Sequence, residues 1–167
     1  YDWLETKYNV RVGRSDSPTG PFYDYLGVDM NEVRDDLPMI LAPYRFAGHS
    51  GWQGVSHPGV FAKDDNFYIG HQGRPGVNPF YMVMHLRQLL WTEDGWPLVS
   101  SQRYATEEGT PVQEADIDGD WELIIFKDYN LVPGFAEEQT SPDFTDAVEV
   151  NLGTDGIVSG DVSGTWT

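Results

Sequence analysis

Four strand signals follow one another closely between Gly59 and Val99, and this feature limits the possible folds most. They are separated by a polar turn at residues 63–66, a longer loop rich in Gly and Pro, and a tight turn at residues 92–95. Pro97 has no backbone N–H group to donate, so the last strand fits only the outer edge of a sheet. The predicted strands are Gly59–Ala62, Phe67–His71, Tyr81–Trp91 and Trp96–Val99.

Antiparallel strands in this meander order are typical of one blade of a β-propeller, counted from the innermost strand outward. A single blade cannot bury both of its faces, so the pattern predicts neighbouring blades. The composition agrees with an all-β fold, since 18 Gly and 11 Pro interrupt a chain in which 14% of the residues are aromatic.

The chain is strongly acidic, because 10 Lys and Arg stand against 27 Asp and Glu in 167 residues, for a net charge of −17. Such a surface repels phosphate groups and anionic lipids, so neither nucleic acid nor a membrane is expected as a partner. The chain has no Cys. This excludes a disulfide scaffold, a thiolate metal site and a cysteine nucleophile.

Strand signals also lie on both sides of this meander. Residues 8–15 alternate apolar and polar side chains and predict a strand before the loop at residues 16–21, and residues 22–51 predict a connection with at most a short helix or strand. Beyond Thr106 the sequence becomes acidic and turn-rich, and three further strands are predicted. They are Trp121–Lys127, Ala147–Leu152 and Ile157–Trp166. We therefore expect one domain over residues 1–106 and part of a small β-barrel or sandwich over residues 107–167.

The four histidines, His49, His57, His71 and His85, match no metal-binding motif such as His-Glu-x-x-His. A histidine in a β-rich protein is usually packed or simply exposed. His57 differs in its position, because it lies at the predicted start of the innermost strand, which faces the central channel of a propeller. A ring nitrogen there can hold a water or a cation, so His57 is the candidate metal ligand.

Carboxylates are abundant, but the sequence does not pair them. Hydrolysis of a glycosidic bond needs two carboxyl groups held about 5 to 9.5 Å apart. The candidates fall in turns or in the acidic linker, where exposure to solvent is the simpler interpretation. They are Asp64, Asp65, Glu93, Asp94, Glu107, Glu108, Glu114, Asp116 and Asp118. Residues 116–120 also resemble part of an EF-hand loop, but Lys127 stands where that loop needs Glu, so a turn is predicted.

Three stretches together resemble glycoside hydrolase family 43, and within it the endo-acting α-1,5-L-arabinanases. Residues 8–15 with Ser-Pro-Thr-Gly-Pro at 17–21 are similar to the end of that family's fourth blade. The stretch from His57, through His-Gln-Gly-Arg-Pro at 71–75, to Asp-Gly-Trp-Pro at 94–97 is similar to its fifth blade. Residues 119–124 and 160–166 resemble the start of the extra β-barrel domain of the larger extracellular members.

The resemblance implies a five-bladed propeller, of which this chain supplies late blade four and blade five. In that family an Asp base, a second Asp that orients and tunes, and a Glu acid hydrolyse the bond with inversion. All three are expected upstream of Tyr1, so no catalytic residue is assigned to this chain. His57 matches the blade-five histidine that holds a central Ca²⁺, mostly through waters. The family pattern Gly-His-Asn-Ser reads Ser-His-Pro-Gly at residues 56–59, which removes two side-chain hydrogen bonds.

The resemblance thus implies cleavage of internal α-1,5 links of arabinan by an extracellular bacterial enzyme, complete only with the N-terminal blades. Two alternatives stay open. The first is a non-catalytic carbohydrate-binding or interaction module, which suits a chain without an assigned acid or base. The second is an arabinofuranosidase or xylosidase of the same family, since residues 71–75 resemble those enzymes as well.

Overall fold

The computed structural model describes residues 8–32, 38–106, 112–126 and 144–166. Within these residues the chain is nearly all strand, with one short helix, which confirms the all-β prediction. The elements are β1 Tyr44–Arg45, β2 Trp52–Lys63, β3 Asn66–Pro75, β4 Val83–Trp91, β5 Pro97–Val99, α1 Glu114–Ile117, β6 Gly119–Leu123, β7 Thr145–Asp146, β8 Val148–Leu152, β9 Ile157–Gly160 and β10 Gly164–Thr165.

Strands β2 to β5 form an antiparallel meander, as the sequence predicted. The larger sheet has the order β5-β4-β3-β2-β1-β7, so Pro97 lies in an edge strand, where its missing N–H costs no ladder bond. The β2–β3 turn places Asp64 and Asp65 at φ 50° and 62°, a left-handed conformation that Asp tolerates better than most residues. The predicted arrangement of this blade is therefore confirmed.

The turn between β4 and β5 is held by side chains as well as by backbone. The hydroxyl of Thr92 accepts a hydrogen bond from the backbone N of Trp96 at 2.8 Å, and Gly95 adopts φ 81°. Arg14 covers this turn, because its guanidinium lies 4.2 Å from the centre of the Trp96 ring and donates to the carbonyl of Asp94 at 2.8 Å. The segment before the blade therefore packs on its outer hairpin.

Strand β7 joins the larger sheet from the C-terminal part of the chain. It pairs in parallel with β1, with Tyr44 opposite Thr145 and Arg45 opposite Asp146. The remaining C-terminal strands form a second sheet in the order β10-β9-β8-β6. The domain boundary at residues 106/107 stays a prediction, but strands from both sides of it share one sheet.

The hydrophobic core lies where the segment before the blade meets β1 and β2. Val10, Leu41, Tyr44 and Val55 are buried, with exposures between 0% and 8%. Partly buried apolar side chains surround them, and these include two from the C-terminal part. They are Ile40, Phe46, Trp52, Val99, Ile124 and Phe126.

Some strand predictions were wrong in their limits. Residues 8–15 form isolated bridges, Val10 with Leu41 and Arg14 with Tyr23, because successive residues face different partners and no continuous ladder can form. The first blade strand begins at Trp52, seven residues before its predicted start at Gly59, since the preceding residues find partners in β1 and β3.

The C-terminal strands also differ from the prediction. The predicted strand Ile157–Trp166 is divided into β9 and β10, because Gly160 adopts φ 110° and the chain turns through residues 161–163. The strand expected over Trp121–Lys127 is β6, which begins and ends earlier, at Gly119–Leu123. Thr145 and Asp146, expected in a loop over residues 128–146, form β7, and residues 128–143 of that loop lie outside the described residues. In the described part of the chain, no helix has the length and apolar character needed to cross a membrane.

Candidate functional site

The guanidinium of Arg87 is buried on one face of the larger sheet. Arg87 in β4 is 1% exposed, and each of its five N–H groups has an acceptor. Nε donates to Nε2 of His71 at 3.0 Å, and Nη1 donates to the carbonyls of Ser100 and Ser101 at 3.0 and 2.7 Å. Nη2 faces the hydroxyl of Tyr44 and Nδ1 of His85. No carboxylate of the described residues takes part, so neutral dipoles hold this cation.

The two histidines of this cluster are neutral, and their contacts fix the tautomers. Nδ1 of His71 lies 2.7 Å from the carbonyl of Gln72, which can only accept, so Nδ1 carries the proton and Nε2 accepts from Arg87. Burial lowers the pKa of His71 to about 4. Burial, and then the charges of its neighbours, lower the pKa of His85 to about 3. Both rings therefore stay uncharged at neutral pH.

The ring of His85 is enclosed on several sides. It stacks on His71 with 4.9 Å between ring centres and meets the ring of Trp52 edge-on at 4.4 Å. Gly73 leaves space for it, since a Cβ atom there would lie 2.7 Å from Nε2 of His85. That Nε2 makes no hydrogen bond within the described residues. The ring is thus held mainly by packing and by its contact with Arg87.

A second buried guanidinium belongs to Arg74, beside Gln53 in the β2–β3 pairing. Side chains alternate along a strand, so Arg74 points to the sheet face opposite His71 and Gly73. It is 4% exposed, and its Nε and Nη1 make no hydrogen bond with any described residue. Buried donors without acceptors are costly. Arg74 is therefore a buried cation whose Nε and Nη1 donors the described residues leave unsatisfied.

His57 lies at an irregularity of β2 and not at the start of the strand, where the sequence placed it. The β2–β3 register shifts between Ser56 and Gly59, and His57 adopts φ 58° in that bulge. His is among the residues that tolerate the left-handed conformation, although the conformation remains unfavourable for any residue with a Cβ. The side chain of His57 is exposed. The imidazole at this bulge is thus accessible to solvent.

The described residues do not contain a group of three or more His, Asp or Glu that could hold a metal ion. His57 fits the role of one exposed ligand beside a water shell, because its ring is accessible and waters would supply the oxygen ligands that Ca²⁺ prefers. His49, the other exposed histidine, accepts a hydrogen bond at Nδ1 from the backbone N of Gly51 at 2.9 Å. The metal role of His57 stays a prediction.

The carboxylates considered as candidates lie at the surface wherever the structure describes them, and Glu107, Glu108 and Lys127 lie outside the described residues. Asp64, Asp65, Glu93 and Asp94 are exposed in hairpin turns. Glu114, Asp116 and Asp118 are exposed in or next to the short helix α1, where a turn was expected.

Sequence reasoning missed the two buried arginines. Arg87 stands inside the predicted strand Tyr81–Trp91, where a charged residue among apolar neighbours is unusual, and this was a usable signal. Arg74 fell in the predicted loop after His71, so no comparable signal in the sequence indicated its burial. The contacts themselves link residues far apart in sequence and could not be read from it.

This chain is similar in sequence and in fold to known proteins. The family model GH43_C, described as a C-terminal lipocalin-like domain, matches residues 101–167. The chain is 28% identical over 179 residues to the extracellular endo-α-(1→5)-L-arabinanase 2 of Bacillus subtilis, covering 95% of this chain and 36% of that protein. The resemblance to glycoside hydrolase family 43 is confirmed. A second relative is the extracellular endo-α-(1→5)-L-arabinanase of Thermotoga petrophila, 25% identical over 95% of this chain and 35% of that protein.

A solved structure extends the family 43 likeness to the fold. The crystal structure of the glycoside hydrolase family 43 YxiA protein from Bacillus licheniformis has a TM-score of 0.79 and 27% sequence identity, over 98% of this chain and 38% of that one. The propeller segment is consistent with this neighbour. The chain spans only 36% and 35% of the length of the two curated relatives.

Proposed function

We propose that the polypeptide containing this chain is a glycoside hydrolase that cleaves internal α-1,5 links of arabinan with inversion, and that it is extracellular. The observation that carries the proposal is the match of 95% of the chain to proteins named extracellular endo-α-(1→5)-L-arabinanases. The chain spans about a third of their length, and in this proposal the catalytic Asp, Asp and Glu implied by the family resemblance belong to upstream blades. This chain supplies one blade and the accessory strands of that enzyme.

In this proposal Arg74 is a positioning residue behind the substrate site. Its Nε and Nη1 are buried donors without acceptors among the described residues, and the side chain is too covered for a sugar to contact it. Arg74 stands near the end of β3, directly before the loop at residues 76–82, so it helps to set where that loop lies beside the substrate. The cluster around Arg87 uses all its donors internally and has a structural role.

His57 would supply one ligand to a Ca²⁺ ion, beside a shell of waters. Such an ion would supply a positive field that offsets the mutual repulsion of nearby carboxylates and helps to set their pKa values. The chain contributes the exposed imidazole and the bulge that directs it, while Pro58 and Gly59 add no side-chain donors.

The decisive experiment measures reducing-sugar release from linear arabinan by the complete polypeptide and by this chain alone. Cleavage by the complete polypeptide, with oligomers as early products, supports an endo-acting enzyme. Arabinose as the only product supports the arabinofuranosidase alternative. Binding of arabinan without cleavage by either sample supports the carbohydrate-binding module. The anomeric configuration of the first product, followed by NMR, tests inversion.

Arg74→Lys is the matched test of this positioning role. Lys keeps the charge but lacks the planar arrangement of donors, so KM should rise by about tenfold while the fold is kept. Arg14→Lys alters an exposed arginine at the outer hairpin and serves as the control. Equal KM values for the two variants would show that Arg74 has no role in substrate binding.

A further inference from the structure

The C-terminal part of the chain enters the blade as a strand. The backbone N of Thr145 donates to the carbonyl of Pro43, and the backbone N of Ala147 donates to the carbonyl of Arg45, both at 2.9 Å. These bonds continue the larger sheet beyond β1. An appended module that merely rests on its neighbour would not supply a strand to that neighbour's sheet.

Side chains reinforce the same junction. Nε and Nη2 of Arg45 donate to the two carboxylate oxygens of Asp146 at 2.7 and 3.0 Å, an ion pair of two parallel bonds. The same guanidinium lies 5.1 Å from the centre of the Phe144 ring. Glu122 of the second sheet accepts from the backbone N of Ala47 at 3.2 Å.

Phe144 extends this junction to two loops at one end of the blade, residues 46–51 and 76–82. A Cβ atom on Gly51 would lie 2.8 Å from Cε1 of Phe144, and one on Gly76 would lie 2.9 Å from Cζ. The two glycines are also joined directly, because the backbone N of Gly76 donates to the carbonyl of Gly51 at 2.8 Å. The ring therefore packs closely on both glycines, although the backbone of Ser50 and the φ of 85° at Gly51 also exclude side chains there.

The first of these loops leads to the buried cluster. Gly51 donates to Nδ1 of His49, whose ring lies 5.7 Å from the ring of Trp52, and Trp52 in turn contacts His85. The second loop carries Tyr81 and Met82, which are 63% and 53% exposed. It directly follows Arg74 and Pro75 at the end of β3.

We infer that Phe144 is a positioning residue and that the segment Phe144–Asp146 fixes the two loops relative to Arg74. The accessory part is then an integral component of the blade, and it acts on substrate binding through these loops without contacting the substrate itself. The expected effect on substrate binding rests on the proposed function. The expected ordering of the two loops by Phe144 does not.

The test is hydrogen exchange of the complete polypeptide together with steady-state kinetics on linear arabinan. Phe144→Ala should accelerate exchange in residues 46–51 and 76–82, while the centres of β3 and β4 exchange as in the wild type. KM should rise by about tenfold with a smaller change in kcat, because loosely held loops misplace the binding groups before the chemistry begins. Ile157→Ala, which alters an exposed side chain of the second sheet, is the control and should change neither quantity.

Charge reversal provides a variant that keeps the Phe144 side chain itself. Asp146→Lys places a cation beside Arg45 at an exposed site, so it should loosen the same two loops while the fold is kept. The exchanged pair Arg45→Asp with Asp146→Arg should restore much of the protection and of the KM, although it removes the contact of Arg45 with the Phe144 ring. A general loss of stability would not be reversed by exchanging the two charges.

Unchanged exchange in both loops for Phe144→Ala and Asp146→Lys would overturn the inference. So would an unchanged KM in an active enzyme whose loops exchange faster. If the wild-type polypeptide cleaves no arabinan, the proposed function fails, and the exchange data alone decide whether Phe144 positions the loops.

Discussion

Nε of Arg87 donates a hydrogen bond to Nε2 of His71 at 3.0 Å, and this contact joins a fully buried cation to a neutral histidine. The arrangement works only while His71 is unprotonated, because a protonated imidazole has no lone pair to accept the bond. The hydrogen bonding of Arg87 in β4 therefore depends on the protonation state of His71 in the neighbouring strand β3.

Stability should fall in acid because of His71 and His85. An unfolded histidine binds a proton near its ordinary pKa of 6.5, whereas the folded pKa values are about 4 and about 3. The unfolded state therefore binds more protons below pH 6.5, and stability is fully present above that pH and is lost as the pH falls toward the folded values. His71 alone should account for a loss on the order of 3 kcal/mol between pH 6.5 and pH 4.

Urea unfolding of the complete polypeptide at pH 7, 5.5 and 4.5 measures this loss. His71→Gln keeps an acceptor for Arg87 but cannot titrate, so its unfolding free energy should depend less steeply on pH. His49→Gln changes an exposed histidine and is the control. An equal pH dependence in all three proteins would contradict the assignment to His71.

Replacement of Arg87 by Leu should destabilise the fold by about 3 kcal/mol or more, because it leaves several buried acceptors unpaired. Those acceptors are the Tyr44 hydroxyl, the two carbonyls after β5 and the two imidazoles. Lys should restore little of the loss, since one ammonium cannot reach them all. Thermal unfolding of Arg87→Leu, Arg87→Lys and the surface variant Arg14→Ala gives the comparison, and similar melting temperatures for all three would disprove it.

Gly73→Ala should destabilise the blade by about 1–3 kcal/mol, because the added methyl group would meet the imidazole of His85. The close atom is Nε2 of that ring, 2.7 Å from the position of the new Cβ atom. Gly164→Ala is the matched substitution, since no described atom lies within 4 Å of its Cβ position. Its stability should stay within about 0.5 kcal/mol of the wild type. Comparable losses in the two variants would mean that the enclosure of His85 is not the cause.

His57→Gly separates the function of this residue from its effect on the backbone. At φ 58° a side chain is strained, so Gly should raise the unfolding free energy by about 1 kcal/mol relative to Ala. Activity of the complete enzyme should nevertheless fall in both variants, because each removes the imidazole proposed to hold Ca²⁺. A histidine that served packing alone would lower stability and activity together.

Chelation distinguishes the two roles of His57 further. EDTA should reduce the activity of the wild type and have little additional effect on His57→Gly or His57→Ala. Full wild-type activity after exhaustive chelation, with no metal in the protein, would leave His57 as a structural residue of the bulge.

The sequence by itself determined the meander β2 to β5 and its turns. The alternation of side chains, the Asp64–Asp65 turn and Pro97 at the edge are local features, and each acts over a few residues. The order of the family motifs, likewise contained in the sequence, indicated the resemblance that the comparisons confirmed. The sequence around His57 was enough to make it a candidate ligand. The bulge at His57 could not be predicted, because a bulge depends on how β2 pairs with β3.

Tertiary structure alone decided how the two parts of the chain meet. Tyr44 pairs with Thr145 across a long stretch of sequence, and no local preference of a two-residue strand specifies such a parallel partner. In the same way, Arg74 and Arg87 became informative only when burial showed which donors had acceptors and which did not. Burial and hydrogen-bond satisfaction are properties of the assembled chain, since most of the partners that supply them come from other strands and loops.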